Sequence, residues 1–243
     1  MNNLRHRFNT AGFTLIELLV VIGLIAVLSA GIGIALTTGG KGNALQSSQG
    51  IINSVLSGAR GQAAIKQANA AVMVNVLPAA DGFLSEFYIA TQNAAGDWIT
   101  TGDPTRIDKD IYLVPPAGGF STTTEVQFDT TNGVWTNLSS TAYETAGADL
   151  NIFLSDGTTK LKDDDGTTNL VFRIVQIYTP RGVVDTAVPA RPAAPQIMKL
   201  VLSTAQRASA PILTFDKPQA VRGVLITDYG IPIFVNDALA FNP

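Results

Sequence analysis

The chain has no cysteine among its 243 residues, which excludes disulfides, thiolate metal sites and a cysteine nucleophile. Its only histidine is His6, close to the N-terminus. The remainder therefore lacks both residue types most often used to activate nucleophiles and hold transition metals. No glycine-rich phosphate loop, nucleophile elbow or tandem repeat is apparent. Sixteen basic residues face 19 acidic ones, for a net charge of -3, so a polyanion such as DNA meets net repulsion unless basic residues cluster in the fold. These absences argue against an enzyme. No catalytic residue, cofactor or metal is assigned, and nucleic acid is not an expected partner.

What the chain does have is a continuous apolar run, residues 12 to 36, GFTLIELLVVIGLIAVLSAGIGIAL. As an α-helix rising ~1.5 Å per residue, Leu15 to Leu36 spans the ~30 Å hydrocarbon core of a bilayer. One carboxylate, Glu17, interrupts the run near its start. An ionisable group there costs at least ~2.5 kcal/mol on insertion scales and asks for a partner or a purpose. The leader MNNLRHRFNTAG carries Arg5 and Arg7 and no acid. By the positive-inside rule this predicts a cytoplasmic N-terminus, with the bulk of the chain across the membrane. A cleavable signal peptide, with Ser29-Ala30-Gly31 as its cleavage site, and a plain signal anchor are the alternative readings of the same run.

Gly12, Phe13, Thr14, Leu15, Ile16 and Glu17 stand in the order GFTLIE directly before the apolar stretch. In this the chain resembles the type IV pilin and type II secretion pseudopilin superfamily, whose prepilin motif has that order. The resemblance implies that a prepilin peptidase cuts between Gly12 and Phe13 and N-methylates the new amine of Phe13. It also implies that Glu17 serves assembly by meeting the terminal amine of a neighbouring subunit. That amine would sit one helical turn, ~6 Å, from Glu17 in the same chain. Loss of Arg5 and Arg7 with the leader would leave 14 basic against 19 acidic residues, about -5. The implied partners are the peptidase, other pilin or pseudopilin subunits, an inner-membrane assembly platform and the lipid bilayer. The implied location is the bacterial inner membrane, single-pass, with the C-terminal domain in the periplasm and a periplasmic or surface filament after assembly.

The pattern divides the chain into a leader 1–12, a transmembrane half-helix 13–36, a glycine-rich break 37–43, an amphipathic helix 44–70 and a β-rich domain 71–243. In the second helix Leu45, Ile51, Ile52, Val55, Leu56, Ala59, Ala63 and Ile65 form an apolar stripe, with Gln, Ser, Asn and Lys opposite. Strands are predicted at 71–76, 86–91, 111–113, 125–128, 151–154, 170–177, 199–202 and 223–226 from Val, Ile, Thr and aromatic runs between turn residues. The fold expected is α+β and pilin-like, a long N-terminal helix packed on an antiparallel sheet. Residues 58–74, with Gly96-Asp97-Trp98-Ile99 and Phe153 to Gly157, resemble the minor pseudopilins of the H type and related minor pilins.

Segments 100–121, 136–149 and 179–195 read as insertions. The last contains the proline-rich loop 187–195, expected to be exposed and polyproline-like. Asp163, Asp164 and Asp165 before Gly166 are a weak calcium candidate, since they lack the alternation of a calcium loop; a solvated turn is the favoured reading. Trp98 and Trp135 read as core or strand-surface aromatics. The leading function is a structural, minor, tip-located subunit of a type II secretion pseudopilus or type IV pilus. The alternative is a DNA- or surface-binding minor pilin, which needs a basic patch from Arg173, Arg181, Arg191, Arg207, Lys217 and Arg222.

Overall fold

The computed structural model describes residues 14–116, 125–128, 135–138, 140, 150–185, 198–209 and 212–241, without the side chains of 27–41, 136 and 137. The leader 1–12, Phe13, Arg191 and the loop 187–195 lie outside the described residues. Contacts divide the chain into two units, Met1–Lys41 and Gly42–Pro243.

The long helix α1 is Leu15–Lys66. Its helical backbone runs through residues 37–43, where the glycines predict a break. Each glycine costs a helix about 1 kcal/mol relative to alanine, yet it removes no backbone donor as proline would. The two units nonetheless divide inside this segment. The helix stops at Lys66, earlier than 70, because Gln67 takes a left-handed φ of 53° and its side-chain amide caps the Ala64 carbonyl at 2.6 Å.

In the second unit the buried stripe of α1 is Leu45, Ser48, Gln49, Ile52, Val55, Leu56, Ala59 and Ala63, at the i, i+3, i+4 spacing of one helical face. Two of the predicted positions differ. Ile51 is half-buried and Ile65 is 75 % exposed. Ser48 and Gln49, expected on the polar side, are inside. The Gln49 amide donates to the carbonyls of Gly223 at 2.6 Å and Val235 at 3.0 Å, while the Ser48 hydroxyl accepts from the Asp108 N–H at 3.1 Å. Their hydrogen bonds make burial tolerable.

Among the described residues three sheets form where one was expected. In the first, β1 (Ala70–Asn75) is central, flanked by β2 (Glu86–Gln92) and β7 (Phe172–Tyr178), with β3 (Trp98–Thr100) and β4 (Thr105–Arg106) on β2, all antiparallel. The second orders β12 (Pro232–Val235), β11 (Val221–Ile226), β8 (Met198–Thr204) and β5 (Ile111–Leu113), again antiparallel. In the third, β10 (Leu213–Phe215) pairs antiparallel with β9 (Gln206–Arg207) but parallel with β6 (Val126–Phe128). Beside it, the one-turn helix α2 (Trp135–Leu138) buries Trp135 against Phe128 and Phe215, at ring-centroid distances of 5.5 and 5.7 Å.

Strand β1 is buried on both faces. Ala70, Val72 and Val74 join the core that includes α1, whereas Ala71 and Met73 face a second core with Tyr88, Trp98, Ile152 and Phe172, as the two-residue period of a strand requires. A bulge where β7 passes Val72 and Met73 resets its alternation. Ile174 and Ile177, three residues apart, therefore share the second core.

The second core is closed by residues 150–172, and here a repeat emerges that composition hides. Ile152-Phe153-Leu154-Ser155-Asp156-Gly157-Thr158-Thr159-Lys160 is followed by Leu161-Lys162-Asp163-Asp164-Asp165-Gly166-Thr167-Thr168-Asn169. Only the apolar first position and Asp-Gly-Thr-Thr persist, which is why no repeat is apparent on inspection. Ile152, Leu161 and the succeeding Leu170 all contribute to the core. The Leu161 N–H donates to Ile152 O and the Leu170 N–H to Leu161 O, both at 2.9 Å. Each turn sets its glycine at positive φ, 71° at Gly157 and 69° at Gly166. Residues 151–154, expected as a strand, form only isolated bridges through Phe153, to Ile99 and Lys160.

Candidate functional site

At the start of α1 the GFTLIE sequence makes a reciprocal cap. Thr14 precedes the first helical residue, and its N–H and hydroxyl both donate to Glu17 Oε2 at 2.9 Å. The Glu17 N–H returns a bond to the Thr14 hydroxyl at 3.3 Å. This is the capping box that Thr-x-x-Glu encodes, satisfying donors that the first turn leaves without helical partners. Thr14 was thus legible as a functional neighbour of Glu17, although the sequence reading assigned it no role. Gly12 and Phe13 lie outside the described residues, so the structure places only Glu17 of the three predicted residues.

Beyond the cap, the large apolar side chains from Leu15 to Ile25 are between 49 and 89 % exposed. Such an unbroken apolar surface is foreign to a helix facing water on all sides. Among the described residues, no helix is long and apolar enough to cross a membrane. The expected span, 13–36, runs past Ala26 into residues whose side chains are not described.

The acidic turn separates its three carboxylates. Asp165 accepts from the N–H groups of Thr167 and Thr168 at 2.7 and 2.9 Å and from both threonine hydroxyls at 2.9 Å. These bonds, led by those from Thr168 and Thr167 N–H, hold Asp165 well below the usual carboxylate range. Asp164 lies 3.4 Å from the Arg106 guanidinium. Among the described residues, no group of three or more His, Cys, Asp or Glu is placed to hold a metal ion.

Arg106 links this turn to a carboxylate that the sequence did not single out. Its Nε is 2.9 Å from Glu86 Oε1, and Glu86, only 3 % exposed, also accepts from the Asn75 amide at 3.2 Å. Burial, and then the neighbouring Glu86, push the Tyr88 hydroxyl up, while the bond to Glu86 raises Arg106. These groups border a cleft of about 330 Å³ that also meets Lys162 and Asp163. Glu86, Arg106 and Asp164 are joined there through the Arg106 guanidinium. It reads as an ion-paired seam between the turn and the first sheet. Glu86 had a weak signal, an acid opening a strand that continues with the buried aromatics Phe87 and Tyr88.

The basic residues proposed for DNA contact do not share one element. Arg173 is on β7, Arg207 on β9 and Arg222 on β11, strands of three different sheets. Arg207 is spent on the carbonyls of Ala80 and Asp81 at 2.9 and 3.0 Å. Arg191 lies outside the described residues.

Residues 7–33 match the family described as the prokaryotic N-terminal methylation motif. No curated protein and no solved structure matches the chain. The matched residues bracket GFTLIE and the first turns of the exposed apolar helix. The motif implies a membrane-anchored precursor that prepilin peptidase processes, assembly with pilin subunits, and an extracellular or periplasmic filament. Superfamily members are structural and non-enzymatic, and the second unit packs its helix on antiparallel sheets as a pilin-like α+β fold does. Residues 7–33 thus carry the N-terminal methylation motif that marks the type IV pilin and pseudopilin superfamily.

Proposed function

We propose that the chain is a minor, tip-located structural subunit of a type II secretion pseudopilus or type IV pilus. Cleavage falls between Gly12 and Phe13, methylation falls on the Phe13 amine, and Glu17 sets the register of assembly. The observation that carries this reading is Glu17 in the first turn of a helix whose following side chains are apolar and exposed. In the capping box both Thr14 donors converge on Oε2. The precursor thereby shelters its carboxylate locally until a partner's terminal cation takes it up. A charge left in a low-dielectric span without such a partner costs several kcal/mol, so docking in any other register is penalised.

The irregular β domain, with its extra turns and three sheets, supports a specialised subunit rather than the repeating one. Its N-terminus is cytoplasmic and its domain periplasmic, following Arg5 and Arg7 in the leader. Intact-mass measurement of membrane-extracted protein tests the reading. A chain beginning at methylated Phe13 supports it; an uncut leader, or a chain beginning after Ala30, refutes it.

A further inference from the structure

Strand β12 is the edge of its sheet and pairs with β11 on one side. Where the hairpin closes, the Thr227 N–H donates to Ile231 O at 3.1 Å. In an antiparallel ladder such bonded pairs alternate with pairs whose backbone groups turn outward. Counting along the register, Ile226 with Pro232 and Val224 with Phe234 are the outward pairs. Pro232 brings no N–H to the outer edge. Phe234 brings both an N–H and a carbonyl.

The side chains at this edge are apolar on both faces. Ile233 and Phe234, which as strand neighbours point to opposite sides, are 47 and 51 % exposed, and Tyr229 and Ile231 in the turn before them are also exposed. Sheet edges are ordinarily closed by a lysine, a bulge or an inward charge. Pro232–Val235 contains no charged residue, and its register with β11 runs without a shift. The next charge along the chain is the exposed Asp237, whose Oδ1 accepts from the Leu239 N–H at 3.1 Å. No Lys or Arg occurs from Gly223 to residue 243.

We propose that the outer edge of β12 is a strand-addition site for an extended apolar segment of another protein, one that is not a subunit and carries Lys or Arg at the start of the segment. Laid antiparallel, the segment exchanges both backbone bonds with Phe234. Its residue opposite Phe234 packs on that ring, and the following residue meets Ile233. The residue three positions earlier falls opposite Asp237, which is where a basic side chain gains most. A bilayer as the occupant would leave the Phe234 N–H and carbonyl unsatisfied in hydrocarbon. A second copy would also offer a strand, but a subunit that stands singly at a tip has no copy beside it; that choice rests on the reading proposed above.

The test titrates full-length protein in nanodiscs into the fluorescein-labelled peptide KTIVITS and reads anisotropy. With its valine opposite Phe234, its lysine falls opposite Asp237. Saturable binding is expected, with none to empty nanodiscs. The same peptide N-methylated at its valine keeps every side chain and should bind about tenfold more weakly, the equivalent of one hydrogen bond. Phe234→Ala keeps the outward N–H and should retain part of the binding, whereas Phe234→Pro removes it, at a position β11 does not use, and should abolish binding. The peptide ETIVITS should bind the wild type about fivefold more weakly than KTIVITS, and the gap should narrow on Asp237→Asn, which keeps the cap on Leu239. Equal affinity for the N-methylated peptide, or equal binding by the two Phe234 variants, overturns strand addition. Equal binding by empty nanodiscs assigns the peptide to lipid, and self-association that the peptide displaces makes a second copy the occupant; either refutes the proposal. A chain processed to methylated Phe13 that binds no peptide refutes this site alone, while peptide binding by a chain that is never processed supports the site and strikes at the subunit reading.

Discussion

Gln49 fastens the end of β12 to α1, its side-chain amide donating to Val235 O at 3.0 Å and at the same time to Gly223 O at 2.6 Å. At 4 % exposure it is closed to water, which would otherwise replace these bonds. Gln49→Leu preserves volume but strips both carbonyls of a donor, and should cost about 1–3 kcal/mol. Gln49→Glu should be worse, because a buried carboxylate would face two carbonyl oxygens. Denaturant unfolding of the purified chain measures both. Equal stability of wild type and Gln49→Leu would show that the bonds contribute nothing net.

Removing Arg106 should be more damaging than its half-exposed position suggests. Arg106→Ala leaves the Glu86 carboxylate buried without its cation, held only by neutral partners, the Asn75 amide and the Tyr88 hydroxyl. Breaking a fully buried pair costs about 3–5 kcal/mol, and the 49 % exposure of Arg106 lowers the expectation to about 2 kcal/mol. The Arg106→Ala, Glu86→Gln double variant should recover part of the loss, since no uncompensated charge remains. A double-mutant cycle by urea unfolding checks the sign, and additive losses would contradict the coupling.

Acid should loosen the paired turns late. Asp156 is lowered to about 2 by the Thr159 hydroxyl, and then by the N–H groups of Thr159 and Thr158, whereas an unfolded aspartate titrates near ~3.9. A folded-state pKa below the unfolded one gives stability that is complete above the unfolded value and is lost as pH falls through the folded one. The stability gap between wild type and Asp156→Asn should therefore hold from neutral pH to about 4 and shrink between about 4 and 2. Melting curves across that range test it, and a gap that closes between pH 7 and 5 would contradict the assignment.

At the N-terminus, Glu17→Ala should leave insertion and cleavage intact while reducing recovery in sheared filaments about tenfold or more, the consequence of losing a charge contact in a low-dielectric site. Thr14→Val retains the carboxylate and removes only the hydroxyl half of the cap, at a cost of about 1 kcal/mol. It should still be incorporated. If both variants fail equally, the local cap and not the partner amine accounts for Glu17.

The α+β fold and the phase of the second helix were legible because helical spacing repeats over many residues, and Leu45, Ile52, Leu56, Ala59 and Ala63 are indeed inside. Ile65 was misplaced because, two residues past Ala63 and next to the helix end, it is out of phase with the buried stripe and faces away from it. Gln49 was misplaced for the opposite reason: its position has the buried phase, and its polarity hid that. Strands β10 and β12, missed outright, are short, and β12 opens with a proline that argues against a central strand. The parallel pairing of β6 with β10 joins segments far apart in sequence, which no local pattern announces. At the N-terminus, Thr14 and Glu17 were within reach through their own spacing, while Glu86 required knowledge of which distant arginine would stand beside it.

Because β1 is covered by α1 on one side and by the paired nine-residue turns on the other, neither layer alone can admit solvent to both faces of the strand. Its amides belong with the slowest-exchanging in the domain, protected up to global unfolding. Tension transmitted through the helix would meet a strand bonded along both edges, to β2 and to β7, so the centre of this sheet should be the last part of the domain to yield under mechanical load.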